Sequence, residues 1–91
     1  MREIEFRGVD IASGKTIYST RYDGVGDLVF MYDWRHQISR QIIPESVRQL
    51  VGADKNGRKV YEYDAVQKDG QERKADMTLI NTIGNYELVE P

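Results

Sequence analysis

The chain has 91 residues, of which 40% are hydrophobic and 31% charged, with a formal net charge of −2 and no cysteine. A chain of this length is expected to form one small domain spanning 1–91, because it buries only about 60–65% of the surface that it exposes when unfolded. The lack of cysteine excludes disulfides, thiol catalysis and thiolate metal sites. No apolar run approaches the roughly 18 residues of a membrane-spanning helix, and the charges at 2–7 break any apolar signal segment. The sequence therefore predicts a cytoplasmic protein with no membrane partner.

Two strands are predicted at the beginning of the chain. Apolar and charged residues alternate around Ile4, Phe6 and Gly8, which is typical of a half-buried strand. A turn at 12–15 should lead into a second strand across 17–22 that pairs with the first. The stretch 23–27 has glycines between acidic residues, and we interpret it as a flexible connection that does not pack.

The most apolar run, residues 28–34, predicts a core strand. Its even-numbered residues, from Leu28 to Trp34, share one face of the strand, and we expect that face to be the buried one. A further strand should follow within 35–43 and end at Pro44. The predicted core residues along the whole chain are Phe6, Leu28, Phe30, Val60 and Leu79.

The segment 43–66 carries the strongest turn signals. Pro44 suits the first turn of a helix, and Val47, Leu50 and Val51 have helical spacing. The same residues also fit a strand, with 47, 49 and 51 on one face, so both interpretations stay open beyond a turn at 44–48. The tetrapeptide 54–57, Asp-Lys-Asn-Gly, predicts a tight hairpin turn.

The remaining elements are also predicted to be short strands. Successive residues of 59–64 are expected to point to alternate faces, as in a strand. Asp69-Gly70 is a second hairpin signal, with a returning strand across 74–79. A turn at Gly84-Asn85 precedes a closing strand at 86–89. Seven or eight short strands with one or two helical turns predict a mostly β fold, either a small barrel or packed curved antiparallel sheets.

Several short segments match one family signature. They are Pro-Glu-Ser-Val at 44–47, Gly52, Asp-Lys-Asn-Gly at 54–57, Val-Tyr-Glu at 60–62 with Asp64, the opening Arg-Glu-Ile-Glu-Phe-Arg-Gly at 2–8, and Ile-Gly-Asn at 83–85. Together they resemble the YopX-like family of phage and prophage proteins, although 22–41 are unmatched. The resemblance implies a β fold and a phage or prophage origin in a bacterial host, and it carries no activity. Tyr63 stands where the family usually has glycine, so we expect a more open corner there.

Candidate catalytic groups are few. His36 is the only histidine and has no recognisable serine partner, so we interpret it as a surface residue. Glu62 and Asp64 share a strand face and could form a paired carboxylate site, or Asp64 could accept backbone N–H groups at a tight corner. We favour the structural interpretation. The sequence predicts no catalytic residue, no metal site, no cofactor and no small-molecule substrate.

The candidate binding residues combine aromatic rings with cations. Segment 35–59 contains six Lys or Arg against two acids. The nearby aromatic residues Trp34, Tyr61 and Tyr63 could fill the core, form a protein interface or stack on single-stranded nucleic acid. We expect a non-enzymatic binding module that acts through protein contacts or self-association as a homo-oligomer; the alternative is a nucleic-acid-binding small barrel that uses 35–59. The binding candidates are Trp34, Arg35, Arg58, Lys59, Tyr61 and Tyr63.

Overall fold

The structure, a computed structural model, describes residues 4–89. Its strands form three antiparallel sheets rather than a closed barrel, which confirms the mostly β prediction. Short 3₁₀ turns occur at Pro44–Ser46, Met77–Leu79 and Ile83–Asn85. The strands found within 4–89 are β1 (Phe6–Val9), β2 (Thr16–Ser19), β3 (Tyr22–Val25), β4 (Leu28–Asp33), β5 (Ile38–Ile42), β6 (Arg48–Ala53), β7 (Lys59–Tyr61), β8 (Ala65–Lys68), β9 (Gln71–Lys74) and β10 (Glu87–Leu88).

The chain divides into two compact units, the first ending at Gln49 and the second beginning at Leu50. The expectation of a single domain over 1–91 stays a prediction. Within the described part of the chain, no helix has the length and apolar character needed to cross a membrane.

The first unit contains the sheet β3-β4-β5 and the pair β1–β2. The start of β6 adds to β1, with Phe6 opposite Gln49. Gly8 in β1 allows the backbone to approach the β3-β4-β5 sheet, because a Cβ atom at this position would lie 2.5 Å from Cγ2 of Ile42 and 2.9 Å from Sδ of Met31. Met31 and Ile42 are almost fully buried and form the centre of this unit.

The prediction of a flexible connection at 23–27 is wrong. The second strand ends at Ser19, and Tyr22–Val25 forms β3, which pairs with β4 in the register Tyr22 to Met31 and Val25 to Leu28. Gly26 has a φ of 61°, the positive value that a two-residue hairpin turn of type II′ requires at its first central position. The glycine-rich stretch is therefore part of a hairpin.

The strand at 28–34 is confirmed as β4, but its predicted inner face is wrong. Met31 and Asp33 are buried, whereas Leu28 is 45% exposed and Trp34 68% exposed. The reason is tertiary, since β1 packs against Met31 and an arginine pairs with buried Asp33. Of the predicted core residues, Val60 and Leu79 are buried, whereas Phe6 and Phe30 are only half-buried.

The ambiguous segment 44–51 is a 3₁₀ turn followed by a strand. Ser46 fixes the turn, because its Oγ donates to the carbonyl of Ile43 at 2.6 Å and accepts from the backbone N–H of Val9 at 2.8 Å. β6 then begins at Arg48, so the strand interpretation holds beyond the turn.

In the second unit, the hairpin predicted at 54–57 connects β6 to β7. The N–H of Gly57 donates to the carbonyl of Asp54 at 3.0 Å, and Gly57 has a φ of 80°. This is a type I turn closed by a glycine bulge. The core of this unit consists of Val51, Val60, Val66, Ala75, Leu79 and Ile83.

The second predicted hairpin is also confirmed, but the returning strand predicted across 74–79 is wrong. Asp69-Gly70 joins β8 to β9, which ends at Lys74. Residues 77–79 form a 3₁₀ turn instead, because the carboxylate of Asp76 accepts the N–H of Thr78 at 2.9 Å and caps it. The closing strand is confirmed as β10.

The corner at Tyr63 is tight, contrary to the expectation of an open one. Tyr63 has a φ of 69°, the left-handed conformation that glycine adopts most readily. The N–H of Asp64 donates to the carbonyl of Tyr61 at 3.1 Å, and the Asp64 carboxylate accepts the N–H of Tyr61 at 2.8 Å. Asp64 thus has the structural role favoured above, and the alternation predicted across 59–64 ends at Tyr61.

We predict that Tyr63→Gly leaves the free energy of unfolding unchanged or raises it by up to about 1 kcal/mol, because glycine removes the steric cost of a positive φ. The matched change Gly57→Ala, at a φ of 80°, should lower it by about 1 kcal/mol. Urea unfolding measures both values. A loss of stability in Tyr63→Gly as large as in Gly57→Ala would contradict the prediction.

Candidate binding site

The sheet β3-β4-β5 has one face that carries buried Met31 and Ile42 and packs against β1. We call the opposite face of this sheet the open face. Directly paired residues of antiparallel strands project from the same side, so the strand register assigns its members. They are Asp23, Val25, Leu28, Phe30, Tyr32, Ser39 and Gln41, with Trp34 next in the alternation after Tyr32.

An aromatic row runs along the middle of the open face. Phe30, Tyr32 and Trp34 occupy alternate positions of the central strand β4 and the residue after it. The rings of Tyr32 and Trp34 meet edge to face, with centroids 4.6 Å apart and planes at 69°. Trp34 is nevertheless 68% exposed, so most of its ring stays open to a partner.

A cleft of about 520 Å³ lies at the end of this row. That volume falls in the range of small-ligand and peptide side-chain sites, about 300–1,000 Å³. Its lining combines two aromatic rings with a cation, a carboxylate and hydroxyl groups, so it offers both apolar contact and hydrogen bonds. The lining residues are Ser19, Thr20, Arg21, Asp23, Tyr32, Trp34 and Ser39.

The turn that carries Trp34 is held by Asp33. One carboxylate oxygen of Asp33 accepts the backbone N–H groups of Arg35 at 3.0 Å and His36 at 3.3 Å. The other lies 2.8 Å from Nδ1 of His36 and accepts Nε of Arg40 at 3.0 Å. Asp33 is thus a positioning residue for Trp34, and exposed His36 takes part in the turn.

Arg40 also pairs with a second buried carboxylate, because its Nη1 lies 3.5 Å from Oδ2 of Asp10. Arg40 thus bridges Asp33 and Asp10. Asp10 also accepts the hydroxyl of Ser13 at 2.8 Å, and this bond is the main cause that lowers the pKa of Asp10. The hydrogen bond from His36, helped by Arg40 and opposed by burial, lowers the pKa of Asp33 to about 2. Both groups are therefore anions at neutral pH, whereas a general acid needs a raised pKa.

Protonation of Asp33 should destabilise the fold. Because its pKa is lower in the folded protein than in the unfolded chain, the stabilisation is complete above the unfolded value of 3.8 and is lost as the pH falls towards 2. We predict that Asp33→Asn is less stable at pH 7 and loses less stability than the wild type between pH 5 and pH 2. Urea unfolding across this range tests it, and equal losses in both proteins would contradict it.

The residues predicted for binding divide between the two units. Trp34 and Arg35 belong to the first unit and are exposed. In the second unit, Arg58 pairs with Asp54 at 3.3 Å and donates to the carbonyl of Leu88 at 2.9 Å. Tyr61 is only 4% exposed and belongs to the interior. Lys59 and Tyr63 are exposed in this second unit.

Sequence reasoning missed much of the open face and of the cleft. Asp23 and Val25 were placed in a flexible connection, Leu28 and Phe30 in the core, and Arg21, which lines the cleft, in a strand. The signal that could have found them is Gly26-Asp27, a two-residue turn between Val25 and Leu28 that predicts a hairpin.

Among residues 4–89, no group of three or more metal-binding side chains is close enough to hold an ion. Comparisons of the chain with protein-family models, with curated proteins and with solved structures give no match. The likeness to the YopX-like family stays an interpretation of the residues quoted above.

Proposed function

We propose that this protein is a non-enzymatic binding module that acts through protein contacts or self-association, with the open face as its contact surface. The observation that carries the proposal is the aromatic row on an exposed sheet face beside the cleft. Tyr, Trp and Arg are the side chains enriched where proteins bind one another. The resemblance to the YopX-like family supports an accessory role in a phage or prophage, in the cytoplasm of a bacterial host.

The shifted carboxyl groups of the described residues favour binding over acid–base chemistry. Every described carboxyl group with a shifted pKa has it lowered, and each of these groups holds a loop or turn. A nucleic-acid role through the basic segment 35–59 has less support. Arg40 is taken up by Asp10 and Asp33, and Arg58 by Asp54, so these guanidinium groups already have carboxylate partners.

The test removes the apolar surface of the open face and keeps the fold. In the double variant Leu28→Ser with Trp34→Ala, the altered residues are 45% and 68% exposed. The control is Ile11→Ser, a 51% exposed aliphatic residue in a turn outside the open face. Each immobilised chain is offered a bacterial lysate, and captured proteins are quantified by mass spectrometry; sedimentation at several concentrations reports self-association.

We expect the wild type and the Ile11→Ser control to capture the same protein or to self-associate to the same extent. The double variant should lose that capture or that self-association. Equal capture and equal sedimentation by all chains would overturn the proposal. Titration with a mixed-sequence single-stranded oligonucleotide at low salt should show no saturable binding. Saturable binding that weakens steeply with salt and is lost in the double variant would assign the open face to nucleic acid instead.

A further inference from the structure

The cleft beside Trp34 contains two opposite charges without a partner in the described chain. Arg21 and Asp23 both line it. Across residues 4–89, neither side chain forms a hydrogen bond or an ion pair, with the other or with a third group. By contrast, the guanidinium groups of Arg40 and Arg58 are paired with carboxylates. The cleft therefore offers one cation and one anion to a ligand.

The hydroxyl groups of the cleft are also unused. Ser19 is the one buried residue of the lining, 4% exposed, and its Oγ has no hydrogen-bond partner in the part of the chain that the structure describes. Thr20 and Ser39 add two hydroxyls on exposed residues. An unpaired buried hydroxyl costs free energy, so a ligand that supplies its partner gains affinity.

The third component of the cleft is an aromatic corner. The rings of Tyr32 and Trp34 meet at 69°, and such rings contact apolar groups well. The turn that carries Trp34 is held by the hydrogen bonds of Asp33 to the N–H groups of Arg35 and His36. The corner therefore exists before a ligand arrives, which lowers the entropic cost of binding.

A larger cleft in the second unit, of about 730 Å³, lacks these features. Its lining contains no aromatic ring. Its Lys55 already pairs with Glu87 at 3.7 Å, and the ammonium of its Lys68 lies over the ring of Tyr86 at 5.7 Å from the centroid. The combination of free charges, free hydroxyls and an aromatic corner distinguishes the cleft of the first unit.

We propose that this cleft binds a free α-amino acid with an apolar side chain. The lining has one group for each part of such a molecule. The guanidinium of Arg21 holds the carboxylate, in the two-bond geometry that arginine favours. The carboxylate of Asp23 accepts the ammonium group, and the rings of Tyr32 and Trp34 contact the side chain. This small-molecule site goes beyond the proposed function and does not depend on it.

The charge balance of the cleft favours this ligand over others. Arg21 and Asp23 cancel each other, as the two charges of an amino acid do at neutral pH. A phosphate group would meet the carboxylate of Asp23, and a polyamine would meet the guanidinium of Arg21, and each like-charge contact is unfavourable. An internal residue of a peptide has no main-chain charge for either group.

Trp34 is the only tryptophan, so its fluorescence reports on the cleft. The full-length protein is titrated with L-leucine, with N-acetyl-L-leucine, which lacks the ammonium, and with L-leucinamide, which lacks the carboxylate. We expect a saturable change with leucine at millimolar concentration or below. Each derivative should bind about tenfold more weakly, because it loses one hydrogen-bonded charge.

Single variants assign each charge of the ligand to its residue. Asp23→Asn should weaken leucine binding about tenfold and leave N-acetyl-leucine binding unchanged. Arg21→Gln should likewise weaken leucine binding and leave leucinamide binding unchanged. The controls are Asp27→Asn and Lys15→Gln, two exposed residues of the same unit outside the lining, which should bind leucine as the wild type does.

Two results would refute the inference, and both come from the unaltered protein. One is the absence of a saturable fluorescence change with leucine. The other is equal affinity for leucine and for N-acetyl-L-leucinamide, which would assign the cleft to an internal peptide residue. Either result leaves the proposed function intact if the double variant of Leu28 and Trp34 loses its captured protein or its self-association.

Discussion

Replacement of Asp54 by alanine is expected to lower the free energy of unfolding by about 3 kcal/mol. The Asp54 side chain is completely buried, and its carboxylate accepts the N–H groups of Asn56, Arg58 and Leu88, each at 2.9 Å. Burial opposes ionisation, but these bonds and Arg58 outweigh it and hold the pKa of Asp54 below its ordinary value. Alanine leaves these donors and the guanidinium of Arg58 without their acceptor.

The matched control is Asp76→Ala. Asp76 also caps a turn, but its side chain is 48% exposed, so water can replace the lost acceptor. We expect a loss of about 1 kcal/mol or less for this change, as for a surface cap. Urea unfolding measures both, and similar losses at Asp54 and Asp76 would show that the buried carboxylate does not join the hairpin to β10.

Gly8→Ala is expected to lower the free energy of unfolding by about 2–3 kcal/mol, towards the upper end for overpacked cores. The added Cβ would meet Cγ2 of Ile42 at 2.5 Å, and this methyl group is attached at the branch point of a stiff side chain. Ile42 is fully buried, so it has no space into which to turn. Either β1 or β5 must shift to accept the methyl group.

The control for Gly8 lies in the same unit. A Cβ at Gly24 would meet only the carbonyl of Leu28, at 3.9 Å, so Gly24→Ala should change stability by less than about 0.5 kcal/mol. In an Ile42→Ala background the Gly8→Ala change should cost less than in the wild type, because the clashing methyl group is gone. Equal costs in both backgrounds would contradict the close approach of β1 to β5.

These variants also decide whether 1–91 unfolds as one domain. Trp34 is the only tryptophan and belongs to the first unit, so its fluorescence reports that unit alone, whereas circular dichroism reports strands in both. If the chain is one cooperative domain, Asp54→Ala shifts the fluorescence and dichroism transitions together. Separate transitions, with fluorescence unchanged by Asp54→Ala, would refute the single-domain prediction.

The sequence by itself determined the local elements, because turn chemistry acts over a few residues. Asp54 to Gly57 and Asp69-Gly70 form the hairpins that their side chains and positive-φ glycines favour. The period of two identified β4 as a strand with two distinct faces. The same reasoning failed at Tyr63, where hydrogen bonds around the corner keep a tyrosine in a conformation that favours glycine.

The tertiary structure decided which face of β4 is buried, and thereby where the candidate site lies. Both faces of this strand carry apolar residues, so alternation alone cannot rank them, and Asp33 suggested an exposed face. In the folded chain Arg40 and His36 satisfy the Asp33 carboxylate, and Gly8 brings β1 onto Met31. Burying a charge is favourable only where such partners meet. Gly8 and Met31 lie far apart in the sequence, so no local pattern indicates that β1 covers this face. That long-range packing turned Leu28, Phe30, Tyr32 and Trp34 outwards and made them the open face.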